Sequence, residues 1–236
     1  MWKRALALAI LTLPLAAGCQ NVPEVKREAL RTEVQNSPDH DETRKRLLVV
    51  LMGDAETRRD DDPHLRATAA QGLGEIGHPD DARNLLDVLM GPLRDGHTMV
   101  RMECAIALGK LMLPRGELRS MVLLRLRDRL VYDTDERGRP LEREFFVRSA
   151  MLNSLIMLQG RDAASAVHDV AVRLYRGIED GTGAALDRGL FDRCLEGLAE
   201  LTRIKTDAGV NHRVSTDDLN EHLRWWADQI ADMPQE

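Results

Sequence analysis

A segment beginning at Leu65-Arg66 recurs 35 residues later at Val100-Arg101, and a chain that repeats itself this way folds as a stack of like units. In that alignment Ala69 meets Cys104, Ala70 meets Ala105, Leu73 meets Leu108, Gly74 meets Gly109 and Ile76 meets Leu111. A third copy starts 47 residues on, at Val147-Arg148, and matches through Met151, Leu152, Leu155 and Leu158. A fourth, weaker copy starts at Leu190 and runs through Cys194, Leu195, Leu198 and Leu201. Apolar side chains at positions 0, 4, 5, 8 and 11 of a copy make one stripe of an α-helix. Small residues (Ala69, Ala70, Gly74, Ala105, Gly109) let such helices approach closely. A break and a second striped helix follow each time. In the first copy the break is Gly77-His78-Pro79, with Pro79 suited to a first helical turn before Leu85, Leu86, Leu89 and Met90. In the second, Pro114 opens a helix with Leu118, Val122 and Leu126, and Asp62-Pro63 supplies an N-cap and first-turn pair for copy one.

Composition agrees with a helical stack. The 236 residues are 43% hydrophobic and 31% charged, enough apolar side chain for a sizeable core. Aromatics are only 3%, which disfavours a β-sandwich or barrel. The valine-arginine, alanine-alanine, leucine-glycine pattern resembles HEAT repeats of the short bacterial type over roughly residues 62–204. The resemblance implies an all-α, right-handed α-solenoid of about four helical hairpins. Terminal helices would cap it, because end repeats otherwise expose an apolar face. Leu47, Leu48, Val50 and Leu51 suit a covering helix at the front. At the back, Ser215 or Thr216 caps a helix with Leu219, Leu223, Trp226 and Ile230 on one face, Trp225 lying about 100° away.

The first twenty residues read as an address. Lys3 and Arg4 precede an apolar run from Ala5 to Leu15, far short of the roughly 20 residues that a membrane span needs. The run ends in Leu15-Ala16-Ala17-Gly18-Cys19, which resembles the lipobox of bacterial lipoproteins, although that family usually has leucine at the place of Ala16. The resemblance implies cleavage before Cys19 and acylation of that cysteine. Gln20, not aspartate, follows it, which by resemblance implies sorting to an outer membrane, facing the periplasm. An ordinary secretory signal is the alternative. The expected organisation is a signal peptide over 1–18, a tether over 19–41 with one or two helical turns between Glu24 and Gln35, and the solenoid over 42–205. The solenoid carries an insertion at about 131–144, and a capping segment covers 206–236.

Chemistry is sparse. There is no His-Glu-x-x-His, Cys-x-x-Cys, Walker loop, nucleophile elbow or GxGxxG. Some HEAT-like enzymes use paired His-Glu dipeptides to bind iron, and the chain has none. No cofactor is expected. Formal charge is −6, from 33 basic and 39 acidic residues, so free nucleic acid is a poor partner. Cys104 and Cys194 share a repeat position facing the core and are read as small buried residues.

The insertion carries one weak pattern. Counting from Asp133, an EF-hand loop finds Asp135 at position 3, Gly138 at 6 and Glu144 at 12, but Arg137 stands at ligand position 5. Asp133, Asp135 and Glu144 are thus a weak calcium candidate; a hairpin turning at Arg137-Gly138 is the alternative. Arg115, Arg119, Arg125 and Arg129 crowd the second helix of copy two, and if that helix lines a groove they bind a partner. A solvated helix face is the other reading. These observations point to a lipid-anchored, non-enzymatic scaffold holding a protein partner at the cell envelope. An enzyme or chromophore-handling protein on the same stack, or a calcium-dependent adhesion or signalling module, are the alternatives.

Overall fold

The computed structural model describes residues 22–37, 39–181, 185–204 and 216–234; Cys19 and the signal segment lie outside them. Within the described residues the chain is all-helical, with only isolated bridges at Gly53–Arg58 and Thr134–Pro140. Helices α1 (Val22–Asn36) and α2 (His40–Met52) precede three helical hairpins. These are α3 (Pro63–Ile76) with α4 (Asp81–Leu89), α5 (Thr98–Lys110) with α6 (Glu117–Val131), and α7 (Phe145–Met157) with α8 (Gly160–Glu179). Helices α9 (Ala185–Thr202) and α10 (Thr216–Ala231) follow. The first helix of each repeat packs on the next, α3 on α5, α5 on α7 and α7 on α9, while α4, α6 and α8 form a second row. The expected all-α stack is the architecture, and its core is the continuous seam between the rows.

Local chemistry sets the helix ends. The Asp62 carboxylate accepts a hydrogen bond from the His64 N–H at 2.9 Å, and Pro63 opens α3. Gly77, at φ 72°, ends it in the left-handed conformation that favours glycine. Two boundaries differ from expectation. Helix α4 starts at Asp81, so Pro79 lies in the preceding turn, where its carbonyl accepts from Ala82 N. Helix α6 starts at Glu117, after Gly116, and Pro114 lies before it.

The helical turns expected between Glu24 and Gln35 extend to a full helix. Residues Val22–Asn36 form α1, which packs on α3 and buries Leu30 and Val34. Glu33 accepts from Arg46 of α2 at 2.7 Å. Two apolar residues four apart suffice for one contact face, but amid mixed charge they make too faint a stripe to reveal that the helix docks on the stack.

Close approach in the first row rests on paired small residues. A Cβ on Gly74 would lie 2.8 Å from Cα of Ala107, and one on Gly109 would lie 2.9 Å from Cα of Ser154. The Ser154 hydroxyl donates across this contact to the Ala105 carbonyl at 2.5 Å. At the α7–α9 contact the sizes are exchanged, and Gly197 faces the Ile156 side chain. The consequence is a contrast. Gly109→Ala must push backbones apart, and overpacking of about 1–3 kcal/mol exceeds the roughly 1 kcal/mol gained in helix propensity. A net loss on the order of 1 kcal/mol is expected. Gly197→Ala meets the Cδ1 and Cγ1 atoms of the Ile156 side chain instead of backbone, so Ile156 must shift but the helices need not, and a smaller loss than for Gly109→Ala is expected. Urea melts of the two variants decide it, and a larger loss for Gly197→Ala would reverse the account.

Helix α10 covers the end of the stack, packing on α8 and α9. Trp226 is fully buried, whereas Trp225 is 38% exposed, as the helical phase requires. His168 of α8 donates from Nε2 to the Leu223 carbonyl at 2.8 Å. Trp226 donates from Nε1 to Nε2 of His222 at 3.0 Å, so His222 must be neutral at that nitrogen. Burial holds the His222 pKa below its ordinary 6.5. An unfolded chain therefore binds a proton at His222 before the folded one does. This site's stability is intact above about pH 6.5 and falls as pH drops below that value. His222→Gln keeps an acceptor for Trp226 but cannot titrate. Its thermal midpoint is expected to fall less between pH 7 and 5.5 than the wild type's, read by tryptophan fluorescence. Equal losses would remove His222 as the cause.

Candidate functional site

Three arginines at one repeat position, Arg66, Arg101 and Arg148, are buried in the first row. Arg66 donates from Nε and Nη2 to the two oxygens of Asp95, at 2.8 and 3.1 Å. Arg101 does the same to Glu142, at 2.9 and 3.1 Å. Each also holds the loop before its own helix: Arg66 Nη1 donates to the carbonyls of Asp60 and Asp61, and Arg101 Nη1 to those of Asp95 and Gly96. The result is a ladder in which each arginine grips a carboxylate of the next repeat's entry loop. A second arginine supports each of these rungs, Arg59 on Asp95 and Arg94 on Glu142, both at 3.3 Å. Burial raises the pKa of Asp95 and of Glu142, but the arginine bonds outweigh it and hold both below their ordinary values.

The third rung is built differently. Arg148 reaches Asp187 through Nη1, with a long bond of 3.4 Å from Nη2 to the Leu130 carbonyl. Its Nε is buried without a hydrogen-bond partner. Leu141 stands where Arg59 and Arg94 stand in the earlier repeats, so no loop arginine adds to this rung from that position. Beside it opens a cavity of about 420 Å³ between the insertion and α8, lined by Arg137, Arg139, Arg143, Arg148 and Arg173, with Glu142, Asp180 and Asp187. Val131, Leu174 and Pro140 supply apolar wall.

The insertion is a short hairpin. The Thr134–Pro140 bridge closes it and Gly138 turns it at φ 73°. Asp135 accepts from the N–H groups of Arg137 and Arg139 at 2.9 and 3.0 Å. It also accepts from the guanidinium groups of Arg139 and Arg143, at 2.9 and 2.8 Å. Backbone bonding from Arg139 leads in lowering its pKa to about 2. The Asp135 carboxylate, part of the weak calcium candidate, is thus engaged by its own chain. Asp133 instead pairs with Arg129 at 3.7 Å, Glu144 precedes α7, and among the described residues no group of three or more His, Cys, Asp or Glu is placed to hold a metal.

The arginines crowding the second helix of copy two do not line one groove. Arg129 is buried, with burial and then the charge of Arg94 lowering its pKa. Arg119 donates to the carbonyls of Leu158 and Gln159 at 2.5 and 2.7 Å, tying α6 to the end of α7. Arg115 and Arg119 line a second cavity with Arg161, at the starts of α6 and α8; Arg125 is exposed and lines neither. A charge reversal at Arg129 would therefore disrupt the core instead of reporting on binding.

Sequence reading had noted the recurring arginine as a motif but missed its partner. The signal was present: an acid stands six residues before each arginine, at Asp60, Asp95 and Glu142. Arg137, Arg139, Arg143 and Arg173 carried no local pattern, since only the packing of the hairpin near α8 brings them together. Cys104 and Cys194 are buried free thiols whose pKa burial raises, which suits packing and not reactivity.

The HEAT repeats family matches the chain over residues 55–139, the first two hairpins and most of the insertion. No curated protein matches it. No helix among the described residues is long and apolar enough to cross a membrane.

Proposed function

We propose that the chain is a lipid-anchored, non-enzymatic scaffold that holds a protein partner at a bacterial cell envelope, on an outer membrane and facing the periplasm. HEAT repeats are typical protein-interaction scaffolds, and the match at residues 55–139 within a stacked helical array is the observation that carries the reading. Such stacks offer long rigid surfaces. The Leu15–Cys19 motif supports the anchor, since several acyl chains on one cysteine give stable attachment at about 0.8 kcal/mol per buried methylene.

Cys19→Ser is expected to leave an unprocessed precursor that takes up no labelled palmitate, while the unsubstituted chain is labelled and sediments with membranes. Equal labelling of both chains would remove the anchor. The scaffold is tested by affinity purification of the unsubstituted chain from detergent-solubilised membranes after chemical crosslinking. One protein enriched at a defined ratio is expected, and none would overturn the reading.

A further inference from the structure

Among the buried arginines of the ladder, Arg148 alone faces a cavity with part of its fork unfilled. At the first two rungs the Nε–Nη2 edge of the guanidinium holds a protein carboxylate, Asp95 or Glu142. At the third, Nε has no partner, although Arg148 is 6% exposed and an unmade hydrogen bond at such depth is unfavourable. The cavity it lines also receives Arg137 and Arg173, whose side chains make no ion pair among the described residues.

We infer that this cavity binds the carboxylate of an acidic peptide segment, which completes the third rung as Asp95 and Glu142 complete the first two. The inference rests on the scaffold reading for taking the ligand to be part of a protein. An arginine fork matches a carboxylate with two parallel bonds, and the first two rungs show this chain using that pairing in the same register. The size, about 420 Å³, falls within the range of ligand pockets. The rest of the lining favours a peptide over a phosphate. Glu142, Asp180 and Asp187 would repel a multiply charged phosphate, while the exposed Asp180 can accept a peptide N–H. Val131, Leu174 and Pro140 offer contact to aliphatic stems. Arg139 and Arg143 are held by Asp135 and Glu142 by Arg101 and Arg94, which leaves Arg137 and Arg173 for a ligand carboxylate, far from a nucleic-acid footprint.

The test uses the full-length chain in detergent and a fluorescein-labelled peptide amide, Gly-Ser-Glu-Glu-Ser-Gly, with Gln-Gln replacing Glu-Glu as control. Fluorescence anisotropy is expected to show binding of the glutamate peptide and none of the control. The double variant Arg137→Glu, Arg173→Glu, which alters two side chains outside the ladder, is expected to weaken binding at least tenfold without moving the melting temperature. Arg148→Lys keeps the charge and loses the fork, and is expected to weaken it at least fivefold in protein that circular dichroism shows to be folded. Acetate should displace the peptide at lower concentration than inorganic phosphate. The inference is overturned by absent binding, by equal binding of the control, by a double variant that binds normally, or by phosphate competing better than acetate. A partner still crosslinked by the double variant would leave the scaffold intact while removing the cavity; a wild type that crosslinks nothing would remove the scaffold.

Discussion

Arg101→Ala is expected to cost about 3–5 kcal/mol of folding stability, the range for breaking a buried ion pair by deleting one member. Glu142 is wholly buried and would keep Arg94, a half-exposed partner at 3.3 Å, and the backbone N–H of Glu144 at 3.2 Å. The carbonyls of Asp95 and Gly96 would also lose the donor they share. Replacing both members, Arg101→Leu with Glu142→Leu, removes the uncompensated charge and is expected to recover part of the loss. The pH dependence identifies the cause. With Arg101 present, the Glu142 pKa is held below its ordinary 4.5, so the pair's contribution is full above about that pH and is lost as pH falls through the folded value. Without Arg101, burial is opposed only by the Glu144 N–H and by Arg94, and the ionised carboxylate becomes a liability that protonation relieves. The stability gap between wild type and variant, measured in urea, is therefore expected to narrow from pH 7 to pH 4. A constant gap would place the loss outside Glu142.

Trp226→Ala is expected to cost a comparable amount, about 3–5 kcal/mol, because it empties the largest fully buried side chain of the described residues. The cavity would open under the helix that caps the stack. Leu223 and Ile230, buried on the same face, would lose a neighbour, and the His222 acceptor would lose its donor. Trp225→Ala removes a half-exposed ring that stacks on His222, with centroids 5.7 Å apart, and is expected to cost clearly less. Denaturant melts followed by circular dichroism compare the two without relying on tryptophan emission. Losses in the reverse order would mean that α10 covers the stack with its other face.

Much of the fold is a local property of the chain. The stripes at 0, 4, 5, 8 and 11 define helices because the apolar period is that of the backbone itself, and the breaks at Gly77 and before α6 divide them into hairpins. Small residues at Gly74 and Gly109 announce close packing for the same reason: which side of a helix a residue occupies follows from its number. Trp226 against Trp225 was decidable this way. The Asp133 to Glu144 pattern was not, since ligand spacing says nothing about whether Arg139 and Arg143 reach Asp135 first.

By itself, then, the amino-acid order determined the helical class, the repeat, the register of the buried stripe and the covering role of the last helix. Each depends on residues within a few turns of one another. Only the tertiary structure decided which charges meet. Arg66 lies 29 residues from Asp95 and Arg101 lies 41 from Glu142, and an ion pair is set by through-space distance, which no helical period encodes. The same limit turned the arginines of α6 from a supposed groove lining into separate anchors, Arg119 on α7 and Arg129 in the interior. It also hid the cavity beside Arg148, whose walls come from the hairpin and α8, two segments joined only by packing.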